Sequence, residues 1–190
     1  MALGHTPSQT VGPFFAFGLN HEGHQVLVTD ATQGERIRIE GRVIDGAGVA
    51  IPDAMIEIWQ ANAAGRYDHP DDARSEKPLD PAFHGFGRCG TDKDGRFHFL
   101  TVKPGAVPGI GNALQAPHIN IAVFARGLLK HLWTRLYFEG EPLNADDPVL
   151  ALVDPKRRKT LVAKRSNGKE PGYAFDLVLQ GKGETVFFDI

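Results

Sequence analysis

His118 and Asn120 form the part of this sequence that comes nearest to a metal site. The stretch from Ile119 to Phe124 has the composition of a β-strand, so residues 118 and 120 are predicted to point to the same face. A histidine at position 120 would place two imidazole ligands side by side. An amide is a poor substitute for imidazole toward a transition metal. The pair therefore indicates either a metal site with an unusual ligand or the remnant of one.

Composition argues against several classes of function. The 190 residues carry 21 Lys and Arg against 23 Asp and Glu, a formal charge of −2, which gives no support for nucleic acid or an anionic membrane as partner. No apolar run has the length of a membrane span, and the first five residues lack a signal-peptide pattern. We therefore expect a cytoplasmic protein. Cys89 is the single cysteine, so neither an internal disulfide nor a cysteine metal cluster is predicted.

Short alternating segments separated by turns predict an all-β protein. Only residues 148–164 look helical, and Pro155 limits them to short pieces. No long amphipathic helix separates the strands, so a parallel α/β sheet is not expected. The prediction is an antiparallel β-sandwich with short helical and long loop segments, folded as one domain over residues 1–190. The strands are predicted at 36–44, 54–59, 96–101, 119–124, 132–138 and 175–179.

The N-terminal segment, residues 1–17, is predicted to be an extended arm. Two prolines and a glycine between Thr6 and Phe15 prevent a regular helix there. The aromatic rings of Phe14, Phe15 and Phe17 argue against leaving the arm in water. We therefore expect it to dock on a protein surface.

Several segments spread over most of the chain resemble one known family. The two most distinctive are Glu57–Tyr67, which reads EIWQANAAGRY, and Ala116–Asn120, which reads APHIN. In the same order along the chain, they and the remaining segments resemble the intradiol ring-cleaving dioxygenases, whose fold is a β-sandwich. The remaining segments are 6–14, 86–92, 101–105, 134–140 and 183–189.

The resemblance implies a ferric ion held by two tyrosines and two histidines, and it gives each ligand a position here. Tyr67 corresponds to the first tyrosine and His118 to the first histidine, whereas Val107 and Asn120 stand at the other two ligand positions. Gln115 stands where iron-bearing chains carry an arginine that helps to stabilise the substrate. Ferric iron is a hard Lewis acid that favours phenolate oxygen. With two of four ligands gone, we expect vestigial metal positions and no functional iron in this chain.

Some members of the family are built from two homologous chains, α and β, with the active site at their interface. The β chain keeps the iron ligands, and segments 119–121 and 124–127 of this sequence resemble the α type, as does the arm. The resemblance therefore implies a β subunit as partner, with Fe(III) bound in that subunit. It also implies protocatechuate and O₂ as substrates and 3-carboxy-cis,cis-muconate as product.

Four residues of this chain are implied to reach the pocket of the β subunit: Thr10, Pro13, Phe14 and Arg126. Arg126 is the candidate catalytic residue, because a guanidinium suits the carboxylate of protocatechuate. Phe14 stands where some α chains carry a tyrosine, so a hydroxyl is absent there. The competing interpretation of Arg126 is a plain surface ion pair.

Two other functions stay open on the sequence. One is a self-sufficient intradiol dioxygenase for catechol or hydroxyquinol, with iron held by Tyr67, His118 and unfamiliar partners. The other is a non-enzymatic β-sandwich binding module. Tyr67 is also explained as a packing residue, and His118 as a buried histidine that is hydrogen-bonded, for example to Tyr67 or Asn120.

Overall fold

Strands dominate the computed structural model, which describes residues 9–12, 14–109, 111, 113–166 and 171–189. Eleven strands lie in these residues. They are β1 (Arg36–Ile44), β2 (Met55–Trp59), β3 (Phe86–Gly90), β4 (Arg96–Val102), β5 (Val107–Pro108), β6 (Leu114–Gln115), β7 (His118–Phe124), β8 (Leu132–Phe138), β9 (Val162–Arg165), β10 (Gly172–Ala174) and β11 (Leu177–Val178).

Nine of these strands join one sheet that is nearly closed into a barrel-like sandwich. Its hydrogen-bonded order is β11-β1-β10-β9-β8-β7-β2-β3, and β4 pairs with β1. The pairings of β1 with β10 and β11, and of β8 with β9, are parallel, whereas the other described pairings are antiparallel. The predicted all-β sandwich is confirmed, with these three parallel pairings as an addition to the antiparallel scheme.

The apolar core lies inside the sandwich because the strands alternate. In β1, Ile37, Ile39 and Val43 are buried while Arg36 and Arg42 are exposed, as expected for a pleated strand with one face on the core. The other strands meet them with Ile56, Ile58, Phe97, Phe99, Ile119, Ile121, Leu136 and Phe138.

Helical structure is short, as predicted for residues 148–164. The 3-10 helices Leu150–Leu152 and Arg158–Leu161 lie on either side of Pro155, and a further one spans Pro142–Ala145. Of the helices in the described parts of the chain, none combines the length and the apolar composition that a membrane span needs.

The extended conformation predicted for the arm is wrong over its last residues. Phe14–Leu19 form the helix α1. The prolines that exclude a regular helix all precede this segment, so nothing within it prevents a short one. The ring of Phe15 lies against that of Phe124, with 5.4 Å between the centroids. This contact holds α1 on the sandwich.

Candidate functional site

β7 presents His118 and Asn120 on one face, as the sequence predicts. Ile119, between them, points the other way and is 1% exposed. Asn120 is flanked by Trp59 of β2 on one side and by Arg135 of β8 on the other. The His118 side chain is buried and that of Asn120 is half-buried. Polar groups from neighbouring strands are thus gathered on the face that turns away from the core.

Two loops bring Tyr67 and Val107 beside this face. Gly65 has a φ of +82°, and a Cβ there would lie 2.1 Å from a carbonyl oxygen of the loop that leads to Val107, so glycine allows the two loops to touch. Val107 pairs with Gln115 between β5 and β6. The ring of Tyr67 stacks on that of Trp59, with 5.7 Å between the centroids.

Two of the four predicted metal positions lie at a cleft of about 790 Å³, and the other two, His118 and Asn120, lie on the neighbouring face of β7. Tyr67, Val107 and Gln115 line the cleft. The Asn120 amide is close enough to the Tyr67 hydroxyl to oppose the rise in the pKa of Tyr67, and it donates to the Trp59 carbonyl oxygen over 3.4 Å. We call this group the Tyr67 cluster; it consists of Tyr67, Val107, Gln115, His118, Asn120 and Arg135.

Arg135 is the member of the cluster to which sequence reasoning gave no role. Its Nη1 donates a hydrogen bond to Gln115 Oε1 over 2.6 Å. Its charge opposes the effect of burial on the pKa of Tyr67, which is raised overall, and adds to the effect of burial that lowers the pKa of His118. In the described parts of the chain, Arg135 forms no ion pair with a carboxylate within 4.0 Å. The signal that could have found it is strand register, because Arg135 lies directly opposite Asn120 when β7 and β8 pair.

Burial keeps the phenol and the imidazole of the cluster neutral near pH 7. It raises the pKa of Tyr67, and the charge of Arg135 only partly opposes this effect. Burial, followed by repulsion from Arg135, lowers the pKa of His118 to about 4. The backbone carbonyl of Ala116 accepts a 2.7 Å hydrogen bond from His118 Nδ1. The proton of the neutral ring is therefore on Nδ1, and Nε2 carries the lone pair.

A buried carboxylate, Asp147, supports the cluster from the interior. It is 0% exposed, and it accepts hydrogen bonds from the Ala116 backbone N–H over 2.7 Å and from the Tyr137 hydroxyl over 3.0 Å. A third comes from the Leu150 backbone N–H over 2.7 Å. Asp147 thereby fixes the segment whose carbonyl orients His118. It lies in a polar loop, where the sequence carries no sign of this role.

Thr10 and Arg126 meet at the far end of β7, about 20 Å from its first residue. The backbone N–H of Gly127 donates to Thr10 Oγ1 over 2.7 Å. Together with the packing of Phe15 on Phe124, this bond holds the described part of the arm beside Arg126. The structure therefore brings these two predicted residues together and leaves them apart from the Tyr67 cluster.

The surroundings of Arg126 are open to solvent. Arg126 and Asp53 both line a cavity of about 450 Å³ under the arm, and Arg126 Nε lies 3.1 Å from Asp53 Oδ2. The Phe14 side chain, 83% exposed, points away from any packed environment. Pro13 and residues 1–8 of the predicted arm lie outside the described residues.

Comparison with known proteins identifies the family. A family model described as "Dioxygenase" matches residues 10–181. The protocatechuate 3,4-dioxygenase alpha chain of Pseudomonas putida is 45% identical over 202 residues, which cover 98% of this chain and 97% of that one. The chain belongs to the intradiol ring-cleaving dioxygenases.

Two other intradiol dioxygenases are also similar, one over a smaller share of its own length and the other with a lower sequence identity. The protocatechuate 3,4-dioxygenase beta chain of Burkholderia cepacia is 43% identical over 159 residues, 80% of this chain and 67% of that one. The solved dioxygenase domain of a carbohydrate-binding fusion protein from Streptomyces sp. SirexAA-E is 29% identical, with a TM-score of 0.64 over 93% of this chain and 99% of that one. The sequence identities to the alpha and beta chains are nearly equal. The two chains differ in how much of their length matches, which is greater for the alpha chain.

Intradiol dioxygenases depend on iron, but the Tyr67 cluster does not fit a ferric ion. Val107 has no donor atom, and the Asn120 amide is a neutral, weak ligand. Arg135 adds a positive charge that repels any cation. His118 alone keeps the form of a ligand, since a backbone carbonyl holds its Nδ1 proton and leaves Nε2 free.

Proposed function

We propose that this chain is the α-type subunit of a protocatechuate 3,4-dioxygenase, folds as a single domain and carries no iron itself. The observation that carries the proposal is the composition of the Tyr67 cluster. Its four predicted ligand positions retain only one phenol and one imidazole, and an arginine lies beside them. The match to the P. putida alpha chain, which extends over nearly the whole of both chains, supports the same assignment.

In this proposal the iron belongs to a homologous β-type partner. The reaction combines 3,4-dihydroxybenzoate with O₂, breaks the ring bond between the two hydroxyl-bearing carbons, and places both oxygen atoms in 3-carboxy-cis,cis-muconate. The chemistry that the ferric ion supplies is activation of the chelated catechol ring toward O₂. The residues of this chain bind and orient the substrate from one wall of the pocket.

The substrate-facing wall is assigned to Thr10, Pro13, Phe14 and Arg126. A guanidinium binds a carboxylate through two parallel hydrogen bonds, so Arg126 recognises the carboxylate that distinguishes protocatechuate from catechol. Thr10 holds the arm next to Arg126 through Gly127, which supports a role for the arm in closing the pocket. Arg126 touches the substrate, and the arm residues shape the space around it.

The exposed aromatic rings of α1 support an interface at this end of the sandwich. Phe14 is 83% exposed and Phe17 is 78% exposed, although α1 itself is held on the sandwich by Phe15. Large apolar side chains on an anchored helix are typical of a surface that a partner covers. We therefore assign α1 and the arm to the contact with the β-type subunit. A cytoplasmic location stays a prediction.

Co-expression with a β-type chain from the same genome tests the proposal. We expect the two chains to co-elute in equal amounts, and ring-opening activity with O₂ uptake to require both. After separation of the chains, metal analysis should find iron with the β-type chain only. Stoichiometric iron with turnover in this chain alone would instead establish the self-sufficient enzyme. A chain that remains monomeric beside the β-type protein would point to the binding module.

A further inference from the structure

Asp53 faces Arg126 because of the register of the sheet. β2 and β7 are antiparallel, with Met55 opposite Phe124. Two residues beyond this pair, the same register brings Asp53 opposite Arg126. The Asp53 Oδ2 atom lies 3.1 Å from Arg126 Nε. The paired strands end at Met55 and Phe124, so Asp53 and Arg126 lie in the turns just beyond them.

The ion pair between Asp53 and Arg126 contributes little to the stability of the fold. The side chains of Arg126 and Asp53 are 73% and 43% exposed. Ion pairs so open to water contribute little to folding, because solvent screens the charges and ordering two side chains has an entropic cost. A role in ligand binding is therefore the better explanation of its placement beside the arm.

The geometry leaves the carboxylate-binding edge of Arg126 available. The ion pair joins Asp53 Oδ2 to Nε of the guanidinium at 3.1 Å without the alignment of a hydrogen bond. Among the described residues, neither Nη atom of Arg126 donates a hydrogen bond. The two Nη atoms form one of the edges with which arginine binds a carboxylate in bidentate fashion. An arginine that is already held through Nε loses less conformational freedom when it binds a ligand.

We propose that Asp53 is a positioning residue that holds Arg126 for the carboxylate of the aromatic substrate. The inference rests on the proposed function, since the substrate pocket belongs to the αβ complex. Asp53 also carries a negative charge that repels the same carboxylate. In the proposed complex the substrate carboxylate binds the Nη edge, so the guanidinium separates the two carboxylates and orientation outweighs repulsion.

The test uses Asp53→Ala and Asp53→Asn in the co-purified αβ complex. We expect Asp53→Ala to raise the KM for protocatechuate about fivefold, within the two- to tenfold range set by freeing one long side chain, and to leave kcat within about twofold. Asp53→Asn keeps an oxygen that can accept from Nε, so its KM should fall between those of the wild type and the alanine variant. The Ki of catechol, a competitor without the carboxylate, should not change.

A matched ion pair elsewhere serves as the control. Glu40 Oε2 lies 3.0 Å from Arg38 Nε, and both side chains are partly exposed. Glu40→Ala therefore removes an ion pair, here with a hydrogen bond from Nε, from the outer face of β1 and should leave the KM unchanged. Iron content and the ratio of the two chains, measured for every variant, report on assembly.

Comparing Arg126→Ala with Arg126→Ala/Asp53→Ala distinguishes the positioning role of Asp53 from the role of Arg126 itself. If Asp53 acts through Arg126, the second substitution adds nothing once the arginine is gone. An Arg126→Ala variant with raised KM, beside an Asp53→Ala variant with unchanged or lower KM, would overturn the positioning role and leave the proposed function intact. Loss of iron or a raised Ki for catechol in Asp53→Ala would also overturn it. A wild-type complex without turnover would refute the proposed function itself.

Discussion

Arg135 and Gln115 are joined across the Tyr67 cluster by a 2.6 Å hydrogen bond from Nη1 to Oε1. By resemblance, position 115 is the arginine position of iron-bearing chains, so the arginine of this chain enters the cluster from β8 instead. A guanidinium offers five N–H donors and a permanent positive charge. Here it donates to the Gln115 oxygen and brings a positive charge to the cluster as part of the chain.

Replacing Arg135 with methionine is expected to destabilise the protein. The change removes a charge-assisted hydrogen bond and leaves the Gln115 oxygen without this donor, which costs about 1 to 3 kcal/mol of unfolding free energy. Urea unfolding followed by circular dichroism measures the difference. Arg135→Lys keeps the charge but loses the planar guanidinium. Its unfolding free energy should therefore lie between those of the wild type and Arg135→Met. Arg42→Met removes a half-exposed ion pair and should lower the unfolding free energy less than Arg135→Met does. An equal decrease would show that Arg135 stabilises the fold no more than a surface arginine does.

Restoring the missing ligands is not expected to restore iron binding while Arg135 is present. Val107→Tyr and Asn120→His together supply the phenol and the imidazole, but the guanidinium still repels the metal. Adding Arg135→Met should then allow iron to bind.

Iron content and the visible phenolate-to-iron absorption band measure the outcome of ligand restoration. The Arg135→Met single variant is the control and should bind none. Stoichiometric iron in the Val107→Tyr/Asn120→His double variant would contradict the electrostatic argument.

The parts of the site that follow from alternation were predictable. β1 begins and ends where its pattern predicts, at Arg36 and Ile44, and His118 shares a face with Asn120 because period two leaves no other choice within one strand. Arg135 was not assigned because its place depends on which strand pairs with β7 and in which register. Such long-range information is absent from the local pattern.

The lack of long-range information also explains why the helix in the arm was not predicted. The described residues before it, 9–12, are not helical, but α1 is six residues long and is held by the packing of Phe15 on Phe124. A helix this short has little stability of its own, and local propensity cannot predict it. Likewise, Tyr67 and Val107 are distant in sequence, and their placement at one cleft comes from the close approach of two loops at Gly65.

Stability should fall as the pH drops from about 6.5 to about 4 because of His118. The folded state lowers the pKa of His118 to about 4, whereas the unfolded chain has the ordinary value near 6.5. Above pH 6.5 the ring is neutral in both states and the stabilisation is complete. Between these values only the unfolded chain takes up the proton, so the unfolding free energy decreases, by about 3 kcal/mol in total. Below pH 4 this contribution is constant.

The measurement is the unfolding free energy at pH 7.5 and at pH 4.5, compared between the wild type and His118→Asn. Asparagine keeps a donor for the Ala116 carbonyl but does not titrate, so the variant should lose less stability on acidification. His98→Gln is the matched control, because burial lowers the pKa of His98 as well but that side chain is only half-buried. Equal pH dependence in the wild type and His118→Asn would contradict the assignment.

Deleting residues 1–15 should impair assembly with the β-type subunit or turnover by the complex. The deletion removes the acceptor Thr10 Oγ1 from the Gly127 N–H and the contact of Phe15 with Phe124, so the rest of α1 loses its anchors. Co-elution with the β-type chain and the rate of protocatechuate loss measure the two effects separately. Thr10→Ala is the milder variant; it removes a single hydrogen bond, worth about 1 kcal/mol, and should retain pairing. Full pairing and full activity without the first fifteen residues would show that the arm takes no part in the pocket, because a wall that can be removed without consequence does not shape substrate binding.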